Sequence, residues 1–75
     1  MILDIHVYKS DDGFTAEIPS LKGCEKWNHS EDELLVEIVD LAKYYLKLTD
    51  ETKIKIDKSS VRNNLSVYKM IFDKP

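Results

Sequence analysis

Alternating apolar and polar positions predict a pair of antiparallel strands at the start of the chain. Residues 2–9 are rich in β-branched and aromatic residues and contain no glycine or proline, which is typical of a strand. Residues 14–18 alternate in the same way. The turn between them ends at Gly13, where we expect a positive φ. The two segments therefore predict a β-hairpin.

A third strand and a helix are predicted next along the chain. Pro19 ends the second strand because it has no N–H to donate, and residues 24–28 form a shorter third strand. Ser30 and Glu33 have the spacing of a capping box, in which the serine hydroxyl accepts from the third amide and the glutamate reaches back. The helix is predicted over residues 31–48.

The apolar surface of this helix is wider than one sheet face requires. Its main stripe contains Leu34, Leu35, Ile38, Leu41, Ala42, Tyr45 and Leu46. Val36, Val39, Tyr44 and Leu48 widen the stripe well beyond the roughly 100° that cover one face. We expect these four residues to form a self-association surface, most simply in a homodimer, with a higher oligomer as the other form. The alternative is that the C-terminal part of the chain folds back over them.

The last third of the chain completes an α+β domain. Residues 49–64 are polar, and Ile54 and Ile56 indicate at most a short additional strand. Residues 65–72 are apolar on both faces, which predicts a strand inside the sheet or at an interface. We therefore expect one domain over residues 1–75. It consists of an antiparallel meander of three strands, one amphipathic helix packed on the sheet, and one further C-terminal strand (β-β-β-α-β).

Size and charge narrow the classes of function. A chain of 75 residues with a single cysteine has no intrachain disulfide, so self-association is the expected source of added stability. Residues 1–50 carry five Lys and Arg against eleven Asp and Glu. This acidic balance favours a basic protein as partner over a phosphate backbone. We expect no membrane span, no leader segment and a cytoplasmic location.

A segment in the first third of the chain resembles a known family. Residues 12–24, Asp-Gly-Phe-Thr-Ala-Glu-Ile-Pro-Ser-Leu-Lys-Gly-Cys, look like the N-terminal domain of HicB-type antitoxins. The start of the helix at residues 28–34 is also similar. There Asn28 replaces a glycine, and asparagine can also take a left-handed conformation. Ser30 replaces a threonine with the same capping role. The resemblance covers residues 1–48.

The resemblance implies a partial RNase H-like fold without the catalytic carboxylates of that fold. It also implies self-association and the neutralisation of a small basic, mRNA-cleaving (HicA-like) toxin whose active site the antitoxin occludes. Many members of the family add a DNA-binding module. Residues 49–75 contain only a connection and the final strand, so direct DNA binding is not expected. An orphan protein of the same fold with another protein partner is the alternative.

The predicted partner-binding face consists of His6, Tyr8, Glu17 and Trp27. These residues lie on the outer side of the predicted strands and combine aromatic anchors with acidic charge, which suits a basic protein. Stacking of single-stranded RNA bases on Trp27, Tyr8, Tyr68 and Phe72 is the alternative from another class of function.

No catalytic, cofactor or metal site is predicted. Asp4 with Glu17 or Asp40 is the candidate set for RNase H-like metal chemistry, which leaves a degenerate nuclease as an alternative. The spacing of these residues does not require their carboxylates to converge. Cys24 paired with His6 or His29 lacks the sequence context of a catalytic nucleophile and its base. These three residues are also too few to supply the four ligands of a zinc site. We expect Cys24 in the core, and we expect a protein that is not an enzyme.

Overall fold

The computed structural model describes residues 1–73 of the chain, which form one sheet and one helix. The elements in order are β1 (Ile2–Ser10), β2 (Gly13–Glu17), β3 (Glu25–Asn28), α1 (Glu31–Leu46), β4 (Ile54–Arg62) and β5 (Leu65–Phe72). The five strands lie in the order β3-β2-β1-β5-β4, and every neighbouring pair is antiparallel. The α+β class predicted from the sequence is confirmed.

The helix begins with a cap that differs in part from the predicted one. The Ser30 hydroxyl accepts from the Glu33 N–H at 3.4 Å, as the capping box requires. The Ser30 N–H, however, donates to the side-chain oxygen of Asn28 at 2.9 Å, and the Asn28 amide donates to Glu37 at 2.7 Å. Asn28 therefore performs the part of the cap expected from Glu33. Asn28 does not use the left-handed conformation open to asparagine, because the non-glycine residues with positive φ in residues 1–73 are Lys47 and Asn63.

The helix ends two residues earlier than predicted. Lys47 takes the left-handed conformation at φ 57°, and the Leu48 N–H donates to the Lys43 carbonyl at 2.9 Å. This geometry satisfies a carbonyl at the end of the helix and turns the chain out of it. The helix has 16 residues, and no helix in residues 1–73 is long and apolar enough to cross a membrane.

Two strands follow the helix, whereas the sequence predicted the final strand and at most a short one before it. β4 occupies nine residues of the segment that was expected to be mainly a connection, and Asn63 at φ 52° makes the turn into β5. β4 is an edge strand, and its partly buried residues are Ile54 and Ile56, which pack against the core. Its other side chains are exposed, so the strand carries almost no apolar periodicity. β5 lies between β1 and β4, which explains its apolar residues on both faces.

The core lies between α1 and one face of the sheet, which we call the core face. The buried residues are Leu3, Ile5, Val7, Ala16, Ile18, Cys24, Leu34, Ile38, Ala42, Tyr68, Met70 and Phe72. The helix packs chiefly over β2 and β3. The β4 end of the core face is therefore only partly covered, and the opposite face of the sheet has no covering element within residues 1–73.

Candidate protein-binding surface

The face of the sheet opposite the helix, which we call the outer face, is defined by the strand register. Side chains alternate between the two faces of a strand, and Leu3, Ile5 and Val7 occupy the core face. The outer face therefore carries Ile2, Asp4, His6, Tyr8, Thr15, Glu17, Glu25, Trp27, Lys55, Asp57, Ser60, Arg62, Leu65, Val67, Lys69 and Ile71. It is a continuous surface of five strands that exposes both apolar and charged side chains.

The four residues predicted to bind a partner all lie on this outer face. His6 pairs across the strands with Glu17, and Thr15 lies between Tyr8 and Trp27 in the next row. The Tyr8 hydroxyl donates to Glu17 at 3.0 Å, and the rings of His6 and Tyr8 meet edge to face at 6.4 Å. The fold thus assembles the predicted set into one patch, while its role in binding stays a prediction.

Trp27 is held in one position although it is 44% exposed. Its ring lies over Gly13, where an added Cβ would come within 2.6 Å of the tryptophan ring. The ring also meets His29 edge to face at 4.5 Å, and Nδ1 of His29 lies 3.0 Å from the Asp12 carbonyl oxygen. A rigid, half-exposed aromatic ring loses little conformational freedom on binding, which suits an interface anchor.

The reason for glycine at position 13 therefore differs from the predicted one. Gly23, at φ 83°, is the glycine with a positive φ among residues 1–73, and Gly13 is not. Gly13 makes room for Trp27 and for the Asn28 carbonyl oxygen, which would lie 2.8 Å from an added Cβ. A close approach between neighbouring strands, rather than backbone conformation, requires glycine there.

Charges divide the outer face into two halves. Glu17 and Glu25 are directly opposite each other on β2 and β3, and the Glu17 carboxylate raises the pKa of the Tyr8 phenol, mainly through their hydrogen bond. Lys69 forms an ion pair with Asp4 near the middle of the face. Lys55 and Arg62 lie on the β4 side of the sheet. The half that contains Trp27 is therefore the acidic half.

Sequence reasoning missed most of the apolar part of this face. Leu65, Val67 and Ile71 point outward from β5, and Ile2, 60% exposed, adjoins them on β1. The sequence did contain an indication of this surface, because the apolar residues of β5 occupy both faces of the strand. The sequence could not show that the second apolar face of β5 continues the row of Tyr8 and Trp27, because that row depends on strand order.

The candidate catalytic residues do not form a catalytic arrangement. Asp4 pairs with Lys69 and Glu17 accepts from Tyr8, so each carboxylate has a partner of its own. Cys24 is buried, and burial raises the pKa of its thiol, which disfavours the nucleophilic thiolate. Within residues 1–73, no three His, Cys, Asp or Glu side chains come together as metal ligands.

The residues predicted to mediate self-association separate into two pairs. Val36 is 63% exposed and Tyr44 is 80% exposed, so both are open to a partner. Val39 and Leu48 are partly buried against the core, so they are not part of the fully exposed surface. A groove of about 270 Å³ runs beside Val36 and is lined by Leu35, Val36, Val39, Asp40, Ile54 and Ile56. The alternative to self-association was that the C-terminal part of the chain folds back over the helix. β4 does this in part, because Ile54 and Ile56 line the groove beside Val36 and Val39.

Comparison with protein-family models, curated proteins and solved structures finds no match to this chain. The likeness to HicB-type antitoxins therefore consists of the residues given above, chiefly residues 12–24. The functional conclusion depends on what the outer face can do chemically.

Proposed function

We propose that this chain is a non-catalytic, cytoplasmic protein-binding domain of the HicB-like antitoxin type. Its outer face covers the active site of a small basic mRNA-cleaving toxin and so excludes the RNA substrate. The observation that carries the proposal is the patch of Tyr8, Glu17 and Trp27, which is ordered by its own contacts yet open to a partner. An orphan protein of the same fold would use this patch for another protein.

The chemistry of the patch favours a basic partner. Trp27 supplies an apolar anchor, and Glu17 and Glu25 lie in the adjoining row of the same sheet face. Aromatic anchors near the centre of an interface contribute most of the binding energy, while surrounding charges steer association and select the partner. A surface with this distribution binds lysine- and arginine-rich proteins in preference to acidic ones.

We further infer that residues 1–48 form the β-β-β-α part of a partial RNase H-like fold. The strands β1, β2 and β3 followed by α1 agree with that order. The hairpin of β4 and β5 is a departure, because the resemblance implies a single strand after the helix. The described part of this hairpin contains no helix, which favours a protein-binding role without direct DNA binding.

Self-association belongs to the same proposal. Val36 and Tyr44 are exposed on α1, away from the outer face, so a dimer through the helix leaves the partner-binding patch free. Light scattering on a sizing column is expected to give a mass above 8.7 kDa that depends on concentration. A mass of 8.7 kDa at every concentration would contradict the dimer but leave the binding patch unaffected.

The decisive experiment isolates partners and tests the patch with one variant. The chain is used as bait in its host, and a small basic protein recovered near one-to-one is expected to arrest growth when expressed alone. Trp27→Ala should weaken the complex by about 2 kcal/mol or more, roughly thirtyfold, since it removes a central aromatic anchor. Co-expression of the wild-type chain should restore growth, and Trp27→Ala should restore it poorly.

Tyr44→Ala is the matched control for this experiment. It also removes an exposed aromatic side chain, but from α1 rather than from the outer face. We expect it to bind the partner as the wild type does. Equal binding by the wild type and Trp27→Ala, with both chains folded, would disprove the outer-face interface. Recovery of a partner that is not toxic would favour the orphan alternative.

Single-stranded RNA is the second candidate ligand. Tyr68 and Phe72 are buried in the core, so they cannot stack bases. The row that contains Tyr8 and Trp27 ends at Arg62 on β4, so two stacking rings and a cation share one face. Trp27 is the only tryptophan of the sequence, and RNA stacked on it would quench its fluorescence with a strong dependence on salt. Quenching by single-stranded RNA that disappears at high salt would favour this function over toxin binding.

A further inference from the structure

β1 extends beyond its neighbour β2, which leaves part of its edge without a strand partner. β1 runs over Ile2–Ser10, whereas the β1–β2 pairing ends at His6 and Glu17. On its other side β1 pairs with β5 as far as Ile2. The first part of β1 is therefore paired with β5 on one side and has no strand partner on the other side.

The chain itself explains why the ladder stops there. Pro19 has no N–H to donate, and the Ile18 N–H donates to the Cys24 carbonyl at 3.0 Å, across to the β3 side. The Leu21 N–H then donates to the Ile18 carbonyl at 2.9 Å, which closes a turn. These bonds carry the chain away from β1, so β2 does not extend along Ile2 and Asp4.

The hydrogen-bond pattern identifies the backbone groups that face the open edge. Met1 and Phe72 exchange both backbone bonds, at 2.6 and 3.0 Å. Bonded pairs alternate along an antiparallel ladder, so Leu3 directs its N–H and C=O toward β5. Ile2 and Asp4 then direct theirs toward the open side. Among the backbone bonds of residues 1–73 outside the strand ladders, none involves these four groups.

Space and charge at this edge favour one kind of occupant. A depression of about 330 Å³ lies there, lined by Ile2, Leu3, Asp4, His6, Pro19 and Ser20. On the outer face beside it are Asp4 and Glu17, with Lys69 as the cation paired to Asp4. The Met1 ammonium is the other cation near this end of β1, and it faces the β5 side, where it donates to the Phe72 carbonyl. An extended backbone would satisfy the open donors and acceptors. A basic side chain of that added segment, on the outer face, would lie near the carboxylates of Asp4 and Glu17, which outnumber the one lysine there.

We propose that the open edge of β1 at Ile2 and Asp4 binds an extended segment of another protein by β-strand addition, with a lysine or arginine of that segment on the outer face. The added strand occupies the position that β2 leaves and completes the ladder of β1. This binding mode is independent of the toxin proposal, because it depends on backbone groups rather than on Trp27.

Two synthetic peptides test the edge directly. Both are acetylated, amidated seven-residue peptides in which threonine and valine alternate with a charged residue, lysine in one and glutamate in the other. NMR titration of the full chain with the lysine peptide should shift the amide signals of Ile2 and Asp4. It should also slow their hydrogen exchange about tenfold or more, because they become ladder donors. The glutamate peptide should bind at least about fivefold more weakly.

A backbone modification separates the edge from the side chains. The Gly23–Cys24 junction allows the chain to be assembled by chemical ligation, so an N-methyl group can replace the amide hydrogen of Asp4. This change should abolish peptide binding. N-methylation of Ile56 is the matched control, since by the same alternation its N–H points outward at the β4 edge. Binding by the Ile56 variant should equal that of the unmodified chain.

Several results would overturn the proposal. No shift at Ile2 and Asp4 with millimolar lysine peptide, or undiminished binding after N-methylation of Asp4, would show that the edge accepts no strand. Equal binding of both peptides would refute the preference for a segment that carries a basic side chain. Amides of Ile2 and Asp4 that are protected without peptide and lose protection on dilution would make a second copy of this chain the occupant. Loss of toxin binding in Trp27→Ala has no bearing on these results.

Discussion

At the scale of single residues, the outer face is organised by contacts between side chains that are distant in the sequence. Gly13 is small because the ring of Trp27 lies on it, and the His29 ring contacts the tryptophan ring edge to face. Tyr8 is fixed by its hydrogen bond to Glu17. The residue types were visible in the sequence, but these contacts depend on the pairing of β2 with β3.

Gly13→Ala tests the contact beneath Trp27. The new Cβ would lie 2.6 Å from the ring and 2.8 Å from the Asn28 carbonyl oxygen, so both must move. We expect a loss of about 1–3 kcal/mol in the free energy of unfolding, typical of overpacking. A change in tryptophan fluorescence should accompany it. Urea unfolding followed by this fluorescence gives the stability.

The control is the same substitution in a Trp27→Ala background, followed by circular dichroism. The cost of Gly13→Ala should be smaller there by about 0.5 kcal/mol or more, because part of the clash is gone. The remainder belongs to the Asn28 carbonyl. An identical cost in both backgrounds would mean that the ring does not constrain Gly13.

At the scale of elements, the ends of α1 are determined by capping residues rather than by the apolar pattern. The apolar positions continue to Leu48, but the helix ends at Leu46 because Lys47 adopts a left-handed conformation. Such a conformation costs an L-residue about 1–2 kcal/mol relative to glycine. The helix therefore terminates at a position where the sequence is not optimal for stability.

Lys47→Gly should stabilise the protein. The substitution removes the steric cost of the left-handed conformation, although glycine gains freedom in the unfolded chain, and we expect a net increase of about 0.5–1 kcal/mol. Thermal or urea unfolding measures it. Asn63→Gly is the matched control at the other left-handed position. Its gain should be smaller because asparagine tolerates this conformation. Destabilisation by Lys47→Gly would contradict the capping interpretation.

At the scale of the whole molecule, one helix covers only part of one face of a five-stranded sheet. α1 packs chiefly over β2 and β3, and the start of the helix reaches Tyr68 on β5. Burial raises the pKa of the Tyr68 phenol, and the carboxylates of Glu31 and Asp32 raise it further. The contact between the helix start and the sheet is therefore sensitive to high pH.

The free energy of unfolding should decrease in alkaline solution, and ionisation of Tyr68 should cause part of the decrease. A raised pKa means that the fold favours the neutral phenol, so its contribution to stability is complete below the ordinary pKa of about 10. That contribution is lost as the pH rises through the folded-state pKa. Between about pH 9.5 and 11, the free energy of unfolding should fall more steeply for the wild type than for Tyr68→Phe.

Urea unfolding at a series of pH values measures this difference. Because burial is the largest cause of the shift, high salt should preserve most of the difference between the two chains. Identical slopes for the wild type and Tyr68→Phe would show that the phenol is not buried in the folded protein.

The sequence by itself determined the elements in which buried and exposed side chains alternate with a regular period. The alternation of β1 and β2, the Ser30 cap and the apolar stripe of α1 all act within a few residues, so local spacing contains the information. β4 lacked that signal because an edge strand buries only Ile54 and Ile56. Its existence could be suggested but not established from the pattern.

Only the tertiary structure decided what the outer face contains and where the sheet is open. The row from Trp27 through Tyr8 to Leu65 and the end of the β1–β2 ladder at Glu17 both result from strand order and register. Those depend on hydrogen bonds between residues far apart in the chain, and no local pattern specifies them. The sequence thus determined which side chains can bind a partner, and the pairing of the strands decided which of them share a surface.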